Sequence, residues 1–439
     1  MLATRSSKDF ADFSRHDFRG DTLVYGKDPH QESTCNFYIT IKNVQLDSSD
    51  LDPARKFTLL DWSVSQATQI TNVVFSMPNY STGHTGMAMP EGGSGCYMGD
   101  LTFNGGFIGL DMGSQQYEVK TASFNRCTTG ILISSCFACV LINVNFESNA
   151  IGIDMSRDRC FSVTLVDSTA KKTGTAVKIG NTARGDQSLV IENFEAGIQL
   201  GSVVATDEKV ILSGSIHCTW VYGNVHTSQG LASGAGKTGE TYHIPRSPLL
   251  LSNGKYVTIS PPTYWEYHLS QIVNVKSVKE YPVHGDGKTD DTGNLGIIIR
   301  QHAGRKVLFF PHGTYIVTDT LSFPVGSRVI GEAWSTISAT GARFSDSQAP
   351  TPMVRVGNPG DIGVAQFSDM LFTVADFLPG CILVEVNVAG NTPGDVAFWN
   401  THFRVGGSSS HITVSAMKLK EALTLNRCRR LPSPDTLRQ

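Results

Sequence analysis

Charge is scarce in this chain of 439 residues: Asp, Glu, Lys and Arg together make up 17% of it, against about 25% in an average globular protein. The 36 basic and 39 acidic residues leave a formal net charge of −3. That gives no electrostatic footprint for nucleic acid or an anionic membrane. Long apolar runs are missing too. None approaches the roughly 18–20 residues of a membrane span, and the sharpest, Cys381 to Val388, is interrupted by Glu385 and Asn387. The N-terminal stretch MLATRSSKDFADFSRHDFRGD has no apolar h-region and does not read as a signal peptide. Nine cysteines are too few for a disulfide scaffold in a chain of this length. The one close pair, Cys136-Phe-Ala-Cys139, has no second CxxC or spaced His pair beside it. It reads as two buried thiols in a strand region rather than a zinc or redox centre, and no metal or cofactor is expected. One acceptor sequon, Asn79-Tyr-Ser81, matters only in a secreted protein.

What the chain has in quantity is glycine, 43 residues of it, and glycine with low charge favours a β-rich, turn-rich fold. The length fits two domains. A Gly followed by an apolar or small residue recurs at Gly109, Gly130, Gly152, Gly174 and Gly197, at spacings of 21, 22, 22 and 23. A second series ends short β-rich runs at Phe103, Phe124 and Phe146, continued less cleanly by Val166 and Phe194. A period near 22 with two or three short strands is what a parallel β-helix needs, because one turn cannot bury its inward side chains without a neighbour. The LxxLxLxxN pattern of a leucine-rich repeat is absent. So are long segments of helical periodicity between residues 39 and 220.

The composition changes after about residue 220. Residues 226–270 read as a linker, Gly/Ser/Thr-rich and then proline-rich. A second ordered region, 271–416, is predicted to hold a strand at 273–279, a loop at 282–291 and a helix at 292–302. Strands follow at 306–310, 314–318, 328–331, 352–356, 381–388 and 396–399. Asp290, Asp291 and Thr292 are candidate N-caps of that helix. Residues 1–35 are of uncertain order, 36–225 form the first coil, and the basic tail 417–439 has no β pattern.

The motif Gly285-Asp-Gly-Lys-Thr-Asp-Asp-Thr292, with Phe310-Pro-His-Gly-Thr-Tyr315 after a helix, resembles the start of a β-helix in the pectate-lyase-like superfamily. Asp100-Leu-Thr-Phe-Asn-Gly-Gly106, Ser114-Gln-Gln-Tyr117, Gly152-Ile-Asp-Met155, Val329-Ile-Gly-Glu-Ala-Trp334, Ser368-Asp-Met-Leu-Phe-Thr373 and Trp399-Asn-Thr-His-Phe-Arg404 are similar to segments of fungal glycoside hydrolase family 55. The resemblance implies an all-β fold of two tandem right-handed parallel β-helices. It also implies an exo-β-1,3-glucanase that inverts the anomeric centre, uses no metal and is extracellular in the family. Its partner would be β-1,3-glucan, with no nucleic acid or membrane involved.

The departures from that pattern are specific. The GDGxTDD start appears once where the family has two, and both β-helices are expected to be incomplete. The family's general acid, a late Glu of the second β-helix, is expected to be absent from this chain. The resemblance assigns water-positioning to Gln115 or Gln116, matches Asn143 loosely to a family Ser, and leaves Phe137 as the one aromatic of a sugar-contacting stretch. The two glutamines read equally well as an amide ladder or a surface turn. His312 and His402 sit in strand-like segments, Glu385 reads as packing, and Asp154 as a turn residue. Two alternatives stay open. One is a polygalacturonase or pectate lyase, whose NTD, DD, GHG and RIK series or calcium-binding aspartates are not found. The other is a catalytically inactive carbohydrate-binding fragment.

Overall fold

The computed structural model describes residues 20–405, except 27–31, 34–35, 93–94, 158, 181–186, 224, 228–229 and 233–238. The expectations for residues 1–19 and for the tail 417–439 therefore fall outside the described residues. The chain divides into two compact units, Met1–Thr263 and Tyr264–Gln439.

The first unit is a parallel β-helix. Its strands alternate between a nine-stranded sheet and a ten-stranded sheet. Ile108–Gly113, Thr129–Ser135 and Ile151–Met155 stack in the first, and Gln116–Asn125 and Ala138–Glu147 in the second. The phenylalanine series stacks one ring per coil. Phe75, Phe103, Phe124 and Phe146 lie with centroids 4.5, 4.7 and 5.4 Å apart. The register then puts Ala170, not the expected Val166, opposite Phe146, and Val166 pairs with Ile142.

Glycines of the nine-stranded sheet face these rings. A Cβ on Gly86, Gly109 or Gly130 would sit 2.8, 2.7 or 2.9 Å from a ring carbon of Phe103, Phe124 or Phe146. These positions are glycine because the rings leave no room for a methyl. Gly152 continues the column, its Cβ position 3.1 Å from Phe146, and the rung after it is Ala176 rather than Gly174, since Ile151 pairs with Thr175. A side chain returns there because the ring ladder has ended.

At the bend of the ten-stranded sheet, Asn43, Asn72, Asp100, Thr121, Asn143, Asp167 and Asn193 occupy equivalent positions, all with φ between 52 and 59°. Asn and Asp tolerate this left-handed conformation best. Neighbouring rungs bond laterally: Asn72 donates to Asn43 at 2.9 Å and Asn193 to Asp167 at 2.5 Å. Past Ser188–Ala196 the stack turns antiparallel through Ile216–Tyr222 and Glu240–Tyr242. This pairs the edge that an open parallel sheet would expose.

The second unit is also strand-rich, and its helix spans Thr292–His302 as expected, burying Leu295, Ile298 and Ile299. Two local expectations change. Residues 275–277 form a short 3-10 turn, and the loop at 282–291 contains the strand Asp286–Asp290. Asp291 is the N-cap residue, but its carboxylate makes no capping bond. It accepts instead from the amides of His284 and Gly285, at 2.8 Å each, because the left-handed Gly285 turn aims those two N–H groups at it. Asp290 takes the capping role, accepting from the Thr292 amide at 3.0 Å. Asp286 accepts from the Thr289 and Lys288 amides, which hold its pKa down to about 2. The motif is thus a structural clasp.

Candidate functional site

Two successive coils of the first unit pass from the nine-stranded to the ten-stranded sheet through tight turns, after Gly113 and after Ser135, and these two turns stack along one edge. Gln115 occupies the turn before Gln116–Asn125, and Phe137 the turn one coil later. The Phe137 amide donates to the Gln115 carbonyl at 2.7 Å. On the following coil the Phe161 amide donates to Cys136 O at 2.9 Å. Gln116 opens its strand opposite Ala138. Both glutamines are exposed, and Phe137 is 54% exposed. Its ring lies 5.7 Å from that of Phe161, tilted by 42°. The fold therefore gathers Gln115, Gln116 and Phe137 on one edge and adds Phe161, which the sequence reading did not single out.

Cys136 and Cys139 are not two thiols. They are joined in a disulfide across the Phe137 turn. Both are buried, so the bond tethers each end of the turn to the interior and leaves the ring outside.

Asp111 was also missed. It stands near the same edge, before the Gln115 turn. In the repeat, Asp61-Trp-Ser63 and Asp154-Met-Ser156 each close on themselves. Ser63 donates to Asp61 at 3.1 Å through its amide and 2.6 Å through its hydroxyl, and Ser156 to Asp154 at 3.0 and 2.6 Å. Asp111 has Gly113 in the serine's place, and its carboxylate instead accepts from Ser134 of the next coil at 2.8 Å. Burial pushes the Asp111 carboxyl above its ordinary value, against the pull of Ser134 and Arg157. The broken Asp-x-Ser pattern was the signal that could have found it.

The remaining candidates lie elsewhere. Asn143 is a rung of the left-handed corner, its amide donating to Thr121 at 3.4 Å. Its ladder position accounts for the residue type, and it is separated from the Gln116 edge by the first half of the strand. In the second unit, His312 is exposed and its amide donates to Glu332 at 3.1 Å. His402 is partly buried, and burial lowers its pKa. Glu385 is held by Arg355 at 3.4 Å and Asn387 at 2.9 Å. Among the described residues no group of three His, Cys, Asp or Glu is placed to hold a metal ion, and no helix is long and apolar enough to cross a membrane.

Chemically, the edge offers an aromatic pair that can take the C–H face of a sugar ring. Beside it are amides that can fix a water and a carboxyl whose pKa burial raises. Comparison with known proteins bears on the family. The family model for rhamnogalacturonase A/epimerase, pectate lyase-like, matches residues 8–154 and 275–365, a stretch in each compact unit. A glucan 1,3-β-glucosidase of Cochliobolus carbonum is 32% identical over 404 residues, covering 87% of this chain and 49% of the relative. A glucan endo-1,3-β-glucosidase, BGN13.1 of Trichoderma harzianum, is 34% identical over 418 residues, 93% of this chain and 53% of the relative. A non-secreted LysM effector, LysM19 of Penicillium expansum, is 32% identical over 428 residues, 93% of this chain and 34% of the relative. The chain thus spans about a third to a half of the length of these curated relatives.

Proposed function

Since the chain belongs to the rhamnogalacturonase A/epimerase, pectate-lyase-like family, we propose that it serves a glycoside hydrolase acting on β-1,3-glucan, with the Gln115–Phe137–Phe161 edge as the sugar-facing surface. The observation that carries this is the exposed Phe137 ring packed near Phe161, one coil from Gln115. The relatives named for β-1,3-glucan chemistry support the substrate. A glutamine amide cannot become a covalent glycosyl carrier. A water held by Gln115 or Gln116 is then the attacking group, which is the logic of inversion.

We assign the general acid to no residue of this chain: Glu385 is engaged by Arg355 and Asn387. Asp111 is the carboxyl that stands near this edge, and its part is to keep the site polar beside the amides. Attack from the chain end and action outside the cell complete the proposal. The disulfide fits an oxidising compartment.

The test is to incubate this chain with soluble β-1,3-glucan. Binding that Phe137→Ala weakens, with no glucose released above a Gln115→Ala control, is the expected result. Release of α-glucose by this chain alone would overturn the missing-acid half. Release of oligosaccharides would overturn exo attack, and absence of any glucan binding would sink the reading.

A further inference from the structure

Beyond the corner ladder, the second half of the ten-stranded sheet carries a groove of about 400 Å³, within the range of small-ligand sites. Two columns of outward side chains build it. Ser123, Asn145, Thr169 and Glu195 stand on successive coils in one, and Asn125, Glu147 and Lys171 in the other. Parallel strands stack roughly 4.8 Å apart, so each column repeats its hydrogen-bonding groups at a spacing close to one pyranose unit. The side chains are already fixed to one another. Thr169 donates to Asn145 Oδ1 at 2.8 Å, which leaves the Asn145 Nδ2 hydrogens for another acceptor. Lys171 holds Glu147 at 3.0 Å, and that ion pair depresses the Glu147 pKa. Gly197 ends the second column without a side chain, and a Cβ there would meet Lys171 Cβ at 2.8 Å.

Hydroxyls, amides and a balanced ion pair, with no apolar side chain facing out, suit a ligand that is rich in hydroxyls and uncharged. A polyanion would meet Glu147 and Glu195 against Lys171. Preorganised polar groups bind such a ligand at little ordering cost.

We propose that this groove is a second glycan-binding site, separate from the Gln115–Phe137 edge, which takes a neutral β-linked oligosaccharide lying across the coils. For the identity of the sugar it rests on the function proposed above.

Titrating a β-1,3-linked glucohexaose into the wild type, a Ser123→Ala/Asn145→Ala variant and Phe137→Ala separates the two sites. The wild type should bind two equivalents. The groove variant should lose one, with that site weakened about ten-fold or more by the deleted hydrogen bonds. Phe137→Ala should keep it. Amide exchange on the unmutated protein gives an independent readout, with ligand expected to protect residues 123–125 and 169–171. Unchanged binding in the groove variant, or protection confined to residues 113–116 and 136–138, would overturn the proposal. Tight groove binding of hexagalacturonate would overturn its restriction to neutral chains. If the groove responds while Phe137→Ala changes nothing, the edge reading fails and the groove stands. If the edge responds alone, the reverse holds.

Discussion

The packing of phenylalanines against glycines can be tested as a coupling. Phe124 is fully buried between Phe103 and Phe146, and a methyl on Gly109 would lie 2.7 Å from its Cδ1 and 2.6 Å from the Gly130 carbonyl oxygen. Gly109→Ala alone should cost about 1–3 kcal/mol by overpacking. Phe124→Ala alone should cost about 3–5 kcal/mol, since it empties a ring-sized space between two stacked neighbours. If the sites were independent, the double variant would lose about 4–8 kcal/mol. They are not independent: removing the ring removes the ring clash, and the new methyl enters the space. Only the approach to the Gly130 carbonyl persists. The double variant should therefore fall short of the sum by at least about 1 kcal/mol. Amide exchange in Ile108–Gly113 and Gln116–Asn125 reads the local opening energy where the change is made. Additivity within about 0.5 kcal/mol would refute the claim that the rings dictate glycine.

Three further outcomes follow. His84 is buried, with Nε2 donating to the Asp52 carbonyl at 3.0 Å and Nδ1 accepting from Ser48 at 2.9 Å, and burial lowers its pKa. Its contribution is full above the unfolded value of about 6.5 and is lost as pH falls below it, so the melting temperature should drop more steeply from pH 7.5 to 5 than in His84→Gln; equal slopes would contradict this. The Asp286 carboxyl, held down to about 2, stabilises the second unit above about pH 4 and loses that contribution as pH falls through 2. Acid melts of Asp286→Asn should accordingly be flatter in this window, and parallel curves would count against it. Reducing Cys136–Cys139 frees the turn that presents Phe137, so glucan affinity at the edge should fall several-fold on mild reduction while the circular dichroism of the coil holds; unchanged affinity would show the turn needs no tether.

The architecture was legible because its causes repeat. A 22-residue spacing of Gly and Phe is the direct imprint of rings meeting backbone once per coil, and it gave the first stack and, with the GDGKTDDT motif, the second unit. Register was not legible: the sequence offers Val166 as the fourth member of the ring series, and only the break at Asp167 and Ser168, which lengthens that coil, moves the position to Ala170. For the same reason Gly174 falls outside the glycine column. At the edge, Gln115, Gln116 and Phe137 could be placed by motif. Phe161 and Asp111 could not, because their roles depend on which coil lies beside them. Asp291 illustrates the limit at short range: its position before the helix is plain from the sequence, but the turn that captures its carboxylate from seven residues upstream is a matter of geometry.

The strap that follows the first stack runs back along its corner. Arg246 reaches Asp167 at 2.8 Å and Glu192 at 2.8 Å, its guanidinium covers the Tyr256 ring at 3.9 Å, and the Tyr256 amide donates to Asp167 at 2.7 Å. Ser260 then bonds Asp100, three rungs back along the same corner. A plain solenoid transmits stress only between neighbours and can fray one coil at a time from its end. Here the returning strand laces late coils to early ones, so peeling the last rung also pulls on the hydrogen bond at Asp100. Under tension this unit should yield in one large step rather than a sawtooth of coil-sized ones, which makes it a mechanical clamp as much as a scaffold.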